Sequence, residues 1–226
     1  MSRRLTVGAA LAALVLVSTG ATSGKHLFGQ FCAQCHDTSK APSLRGVGAL
    51  AADFYVRTGY MPLAHLGVQP HRSRVTFTDA QIRALVGYVA SLGKGPAVPT
   101  PHPASGNVSA GMQLFTEHCA GCHQVLAEGG LVTGAVPPPL GDATPTQIAE
   151  AVRIGPYVMP RFGERAISDR QLDSIIRYVE YTRHPDDSGG WSIGHIGPVP
   201  EGLVTWFIAI VVLLGVCLVA GKRLRR

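Results

Sequence analysis

The apolar positions of this chain fall into a pattern that occurs twice. Ile82, Leu85, Val86 and Val89 stand at i, i+3, i+4 and i+7, and Leu172, Ile175, Ile176 and Val179 repeat that spacing further along. Each set lines one face of an α-helix, because the helical turn brings those positions back into register. A polar start signal precedes both, Thr78-Asp79-Ala80-Gln81 and Ser168-Asp169-Arg170-Gln171. Such a capping box pairs two backbone N–H groups that the first turn leaves without partners, so it fixes where the helix begins. Tyr88 and Tyr178 hold equal places in the two helices.

An opening segment precedes each of these closing helices. Gly24, Leu27, Phe28 and Cys32 align with Gly111, Leu114, Phe115 and Cys119, so glycine, phenylalanine and cysteine recur at intervals of four along one helical face. Between the opening and closing helices stands a Met-Pro pair, Met61-Pro62 and Met159-Pro160, preceded by Val56-Arg57-Thr58-Gly59 and Val152-Arg153-Ile154-Gly155. The pattern predicts one all-α domain in two tandem copies. Between them Pro96, Pro99, Pro101 and Pro103 make a semi-rigid extended spacer, in which His102 is expected to be solvated.

Two further apolar runs lie outside the repeats. Leu5 to Val17 follows Arg3-Arg4 and leads into small residues, the order of an export signal, and is short for a bilayer span. Cleavage after about Ala21 is expected, with a retained anchor as the alternative. Leu203 to Gly221 is uncharged over nineteen residues, about 28 Å as a helix against a hydrocarbon core of ~30 Å, and is predicted to span. Lys222, Arg223, Arg225 and Arg226 follow it, which puts the C-terminus in the cytoplasm and both repeats outside, with Trp206 at the outer interface. Cys217 reads as a small packing residue within the span. The expected organisation is therefore a signal segment over 1–21, domains over 22–95 and 106–187, and a linker over 96–105. A juxtamembrane stretch over 188–202, a transmembrane helix over 203–221 and a basic tail over 222–226 complete it.

Charge changes the picture only when divided. The formal net charge is +6, but six basic residues belong to the targeting segment and the tail, so no nucleic-acid partner is implied. Residues 24–95 hold eight Lys/Arg against three Asp/Glu, net +5, whereas 106–201 hold six against eleven, net −5. Opposite charge favours docking of the two modules, or a different redox partner for each.

The chemistry lies in two pentapeptides, Cys32-Ala33-Gln34-Cys35-His36 and Cys119-Ala120-Gly121-Cys122-His123. On a helical turn the two cysteines lie side by side and the histidine follows on the same face. That suits two thioether bonds to a haem and one imidazole bond to its iron. A structural zinc site needs four converging ligands, and a thioredoxin-like motif needs a βαβ setting, so both are weaker readings.

Met61 and Met159 are the candidate sixth ligands, each stiffened by a following proline; filling an apolar gap is the alternative role. His65 competes with Met61 for the first iron. Arg57 and Arg153 could hold haem propionates through their guanidinium forks, or simply face solvent. Each domain is small enough that an apolar core alone is marginal, and two covalently attached haem c groups would supply the missing apolar surface.

The Gly-Phe-Cys-x-x-Cys-His opening, the Met-Pro loop and the capped closing helix with its tyrosine resemble cytochrome c domains. Two in tandem before one membrane helix, with Gly197 to Gly202 running into an apolar span containing Trp206, resemble a narrower family. It is that of the dihaem cytochrome c subunits of the actinobacterial-type quinol–cytochrome c reductase (cytochrome bcc complex). The resemblance implies a chain that transfers single electrons within a multisubunit oxidoreductase of the cell membrane. Its partners would be a cytochrome b subunit, a Rieske-type iron–sulfur subunit, a terminal cytochrome c oxidase and membrane lipid. Two rival functions remain at this stage, an anchored dihaem carrier for another dehydrogenase or oxidase, and a dihaem peroxidase-like enzyme with one open iron site.

Overall fold

The computed structural model describes residues 23–65, 67–68, 70–185 and 198–224. The expected export signal, residues 188–197 of the juxtamembrane stretch and the last two arginines lie outside the described residues. The chain divides into two compact units, with the main boundary between Gly95 and Pro96. Among the described residues the only β structure is one isolated bridge, so the all-α expectation holds.

The first unit contains α1 (Gly24–Phe31), α2 (Ala33–His36), α3 (Gly48–Arg57) and α4 (Asp79–Ser91). The second repeats that order as α5 (Val108–His118), α6 (Ala120–His123), α7 (Pro145–Ile154) and α8 (Asp169–Arg183). Both predicted capping boxes form, at Thr78/Gln81 and Ser168/Gln171. A third, Thr144/Gln147 with Pro145 in the first turn, starts α7. Neither α3 nor α7 was among the predicted helices.

Opening and closing helices cross at glycine in both units. A Cβ on Gly24 would collide with the Ala84 carbonyl and lie 2.9 Å from the Tyr88 Cβ; one on Gly111 would collide with the Ser174 carbonyl and lie 2.9 Å from the Tyr178 Cβ. Close approach of two backbones leaves no room for a side chain there, which explains the glycine that begins each motif. One turn later Phe28 meets Tyr88 with ring centroids 5.1 Å apart, and Phe115 meets Tyr178 at 5.4 Å. These tilted pairs join the predicted apolar stripes: Ile82, Leu85 and Val89 are buried in the first core, and Leu172, Ile175, Ile176 and Val179 in the second. Tyr178 also donates its hydroxyl to the Val125 carbonyl at 2.7 Å.

Arg57 and Arg153, the candidate propionate contacts, make hydrogen bonds within their own units. Arg57 donates to both carboxylate oxygens of Asp53 (2.9 and 3.0 Å) and to Asp79 (2.7 Å). Arg153 donates to the carbonyls of Phe162 (3.1 Å) and Ile167 (2.7 Å) and to Asp169 (2.6 Å). Asp79 and Asp169 are the first residues of α4 and α8, so each arginine clamps the end of one helix to the start of the next. These bonds give each guanidinium a role in holding two helices of its own unit together. Arg57→Met would strand the buried Asp53 carboxylate and is expected to cost about 2–3 kcal/mol. Thermal unfolding should show this as a lower midpoint for the first unit, while the reduction potentials stay unchanged; a shifted potential would point to a propionate contact as well.

The spacer also differs from its reading. Residues 96–101 are free of helix, but Pro103–Ser105 forms a 3-10 turn, the His102 N–H donates to Asp173 at 2.7 Å, and the Asn107 N–H donates to the Ser174 hydroxyl at 3.1 Å. His102 is exposed, as expected, while the backbone from His102 to Asn107 is held to α8, which offers it two side-chain acceptors.

The last helix, α9 (Pro198–Leu224), contains a span long and apolar enough to cross a membrane, Gly202–Arg223. Its large apolar side chains are open on every face, Trp206 and Phe207 each at 70% exposure. A contiguous apolar surface of that extent is matched to lipid rather than water.

Candidate haem-attachment sites

Each pentapeptide occupies a break between two helices. The Cys32 N–H still donates to Phe28 O at 2.8 Å, ending α1, and its own carbonyl receives the N–H groups of Cys35 (3.1 Å) and His36 (2.9 Å) to start α2. Cys119 repeats this arrangement, with bonds of 2.8, 3.1 and 2.9 Å to Phe115, Cys122 and His123. The one-turn helix that the spacing predicted is thus present at both sites. Cys32 and Cys119 pack with the following alanine on the apolar cores of their units.

Burial pushes the Cys32 thiol up and the Cys119 thiol up to about 11, each helped by its neighbouring cysteine. A redox-active cysteine pair needs the opposite, a thiol lowered towards neutrality by positive surroundings. Among the described residues no three His, Cys, Asp or Glu side chains converge as a metal cluster, and a zinc knuckle would require them to do so.

The histidines carry the clearest signal. His36 Nδ1 lies 2.8 Å from the Pro42 carbonyl, and His123 Nδ1 lies 3.1 Å from the Pro138 carbonyl. A carbonyl can only accept, so Nδ1 bears the proton and Nε2 keeps its lone pair for a metal. Orienting a ligand histidine through its other nitrogen is a regular feature of metal sites. Burial also holds His123 below the ordinary imidazole range, with the Pro138 bond opposing it, and so favours the neutral ligand form. The donor set therefore fits a haem iron. Sequence reading missed both carbonyls: a proline follows each motif, but at unequal distances, which conceals the correspondence.

Met61 and Met159 occupy turns fixed by glycine. Gly59 (φ 72°) and Gly155 (φ 65°) both adopt the left-handed conformation after α3 and α7. A Cβ on Gly155 would come within 2.6 Å of the Arg161 nitrogen. Met61 N–H donates to Tyr55 O (2.9 Å) and Met159 N–H to Pro156 O (3.0 Å). Met159 packs against the same apolar cluster as Cys119; Met61 is half-buried, and His65 is exposed.

A duplicated helical domain whose Cys-x-x-Cys-His turn presents an oriented imidazole, followed by a membrane helix, defines a membrane-anchored protein of tandem cytochrome c domains. The family described as cytochrome c oxidase, cbb3-type, subunit III matches residues 19–89 and again 106–179. The cytochrome bc1 complex cytochrome c subunit of Corynebacterium diphtheriae is 32% identical, over 88% of this chain and 80% of that protein. The subunits of the same name from Mycobacterium tuberculosis (36%, 89% and 77%) and Corynebacterium efficiens (34%, 88% and 76%) are similarly close. The chain belongs to the family of cytochrome bc1 complex cytochrome c subunits, whose cytochrome c domain implies covalently bound haem c.

Proposed function

We propose that this protein carries two haem c groups and relays single electrons from a quinol-oxidising iron–sulfur subunit to a terminal oxidase. When bound, haem iron supplies a one-electron couple. Cys32 and Cys35 would hold the first group and Cys119 and Cys122 the second, by thioether bonds. His36 and His123 would ligate iron through Nε2, while the Pro42 and Pro138 carbonyls fix the ring and its tautomer. Met61 and Met159 would be the further iron ligands, and a thioether in that role raises the potential relative to a second imidazole.

The observation that carries this reading is the repeated Nδ1-to-carbonyl bond beside each cysteine pair. Its proposed partners are a cytochrome b subunit, a Rieske-type iron–sulfur subunit and a terminal cytochrome c oxidase, a reading supported by relatives that are subunits of the bc1 complex. The basic residues that follow the apolar span, Lys222, Arg223, Arg225 and Arg226, favour a cytoplasmic C-terminus, with both domains extracytoplasmic, in a single-pass anchor.

Redox titration of the detergent-extracted complex tests the relay. A one-electron step gains a factor of ten for every 59 mV, so the two potentials should lie within about 100 mV or descend towards the acceptor. Met61→His should lower one potential and leave the other in place. A wild-type potential several hundred millivolts below its partner, or purification without a cytochrome b and an iron–sulfur protein, would overturn the assignment.

A further inference from the structure

The two units differ in how far the chain travels before its proline carbonyl returns to the ligand histidine. Pro42 lies six residues beyond His36, and Pro138 lies fifteen beyond His123. The second unit therefore carries nine additional residues on the histidine side.

These residues are folded. The His123 carbonyl accepts the Gly129 N–H at 3.0 Å, so the segment is tied to the histidine by its backbone as well as through the ring. The Gly130 N–H donates to Pro137 O at 3.2 Å, and Val132 and Ala135 exchange bonds of 3.0 and 3.1 Å around Thr133-Gly134, with Gly134 at φ 82°. In that antiparallel register Leu131 stands opposite Val136 as a non-hydrogen-bonded pair, the kind in which side chains come closest. Leu131 is 84% exposed and Val136 74%, the most open large apolar side chains outside α9 among the described residues. They add nothing to the core, and a paired apolar tip on a hydrogen-bonded hairpin is suited to contact with another surface.

Charge narrows what that surface is. No lysine or arginine occurs from Gly95 to Val152, and the carboxylates flanking the hairpin in sequence, Glu128 and Asp142, are exposed. Arg183 donates to the carbonyls of Leu140 and Ala143 beside Asp142, while Glu128 and the hairpin itself have no Lys/Arg near them in sequence; a basic protein rim suits that side of the loop better than anionic lipid.

We propose that the hairpin 130–137 docks the electron acceptor of the second domain. That acceptor is a protein with an apolar recess for Leu131 and Val136, bordered by Lys/Arg that face Glu128 and Asp142. The inference rests on the relay reading, and refines it by naming where the acceptor binds and by what chemistry.

The test uses the full-length holoprotein in its native membranes, with two variants, Leu131→Ser/Val136→Ser and Glu128→Lys/Asp142→Lys. Reduction by quinol should be unchanged in both, while re-oxidation by the acceptor slows by about tenfold or more. Added salt should slow re-oxidation of the wild type, and this dependence should weaken or reverse in the charge variant. A photoreactive residue at position 131 should crosslink to a protein segment flanked by Lys/Arg. Wild-type re-oxidation rates in both variants, or a crosslink only to lipid or to a second copy, would overturn the docking site. A wild-type chain that quinol cannot reduce would sink the relay reading instead, and the crosslink would still decide the docking.

Discussion

Replacing Cys119 and Cys122 together by alanine is expected to halve the haem bound per chain and to reduce quinol-driven oxygen consumption to background. The first domain keeps its own pentapeptide and its own core, so its haem should remain. A relay in series has no path around a missing centre, and loss of one site therefore removes the whole throughput rather than half of it. The second domain should lose its fold as well. Cys119 and Ala120 pack on the same cluster as Phe115, Ile148 and Ile176, and a domain of this size depends on the apolar plate that the cofactor adds. Haem absorbance per mole of protein, oxygen uptake and far-ultraviolet circular dichroism measure the three effects. Full haem content in this variant would remove the basis for the entire assignment.

The second large effect concerns a residue with no side chain. Gly111→Val should destabilise the second domain by about 3 kcal/mol or more, since overpacking at a backbone-to-backbone contact has no flexible neighbour to yield. Gly24→Val should do the same to the first domain, through the Ala84 carbonyl and Tyr88. Gly121→Ala supplies the control: a Cβ there meets nothing within 4 Å, and its stability should stay within about 0.5 kcal/mol of wild type. Thermal unfolding of the three variants would compare these outcomes directly. A near-neutral Gly111→Val would mean that α5 and α8 can separate without loss, against the contact described.

Most of the fold was legible because its signals are local. The capping boxes at Thr78 and Ser168, the i, i+3, i+4, i+7 stripes behind them and the one-turn helices at the cysteine pairs each depend on residues within a few positions of one another. Helices α3 and α7 were not legible. The start of α7 does carry a local signal, Thr144 and Gln147 around Pro145, but two of its five buried residues, Gln147 and Glu150, are polar, so polarity alone misplaces its buried face. The spacer illustrates the converse: residues 96–101 are free of helix, while the bond from His102 to Asp173 joins residues 71 positions apart, beyond the reach of any local rule.

Sequence alone determined the duplicated domain, the haem-type pentapeptides, the membrane helix and the opposite charges of the two halves, because each is set by residue identity and short-range spacing. Tertiary structure decided which helices Arg57 and Arg153 tie together, which nitrogen of each histidine is left to bind metal, and how the longer loop of the second domain exposes Leu131 and Val136. Those outcomes depend on a guanidinium, an imidazole or a strand finding its partner across the fold. Hydrogen bonding rewards a specific geometry that no composition or periodicity encodes.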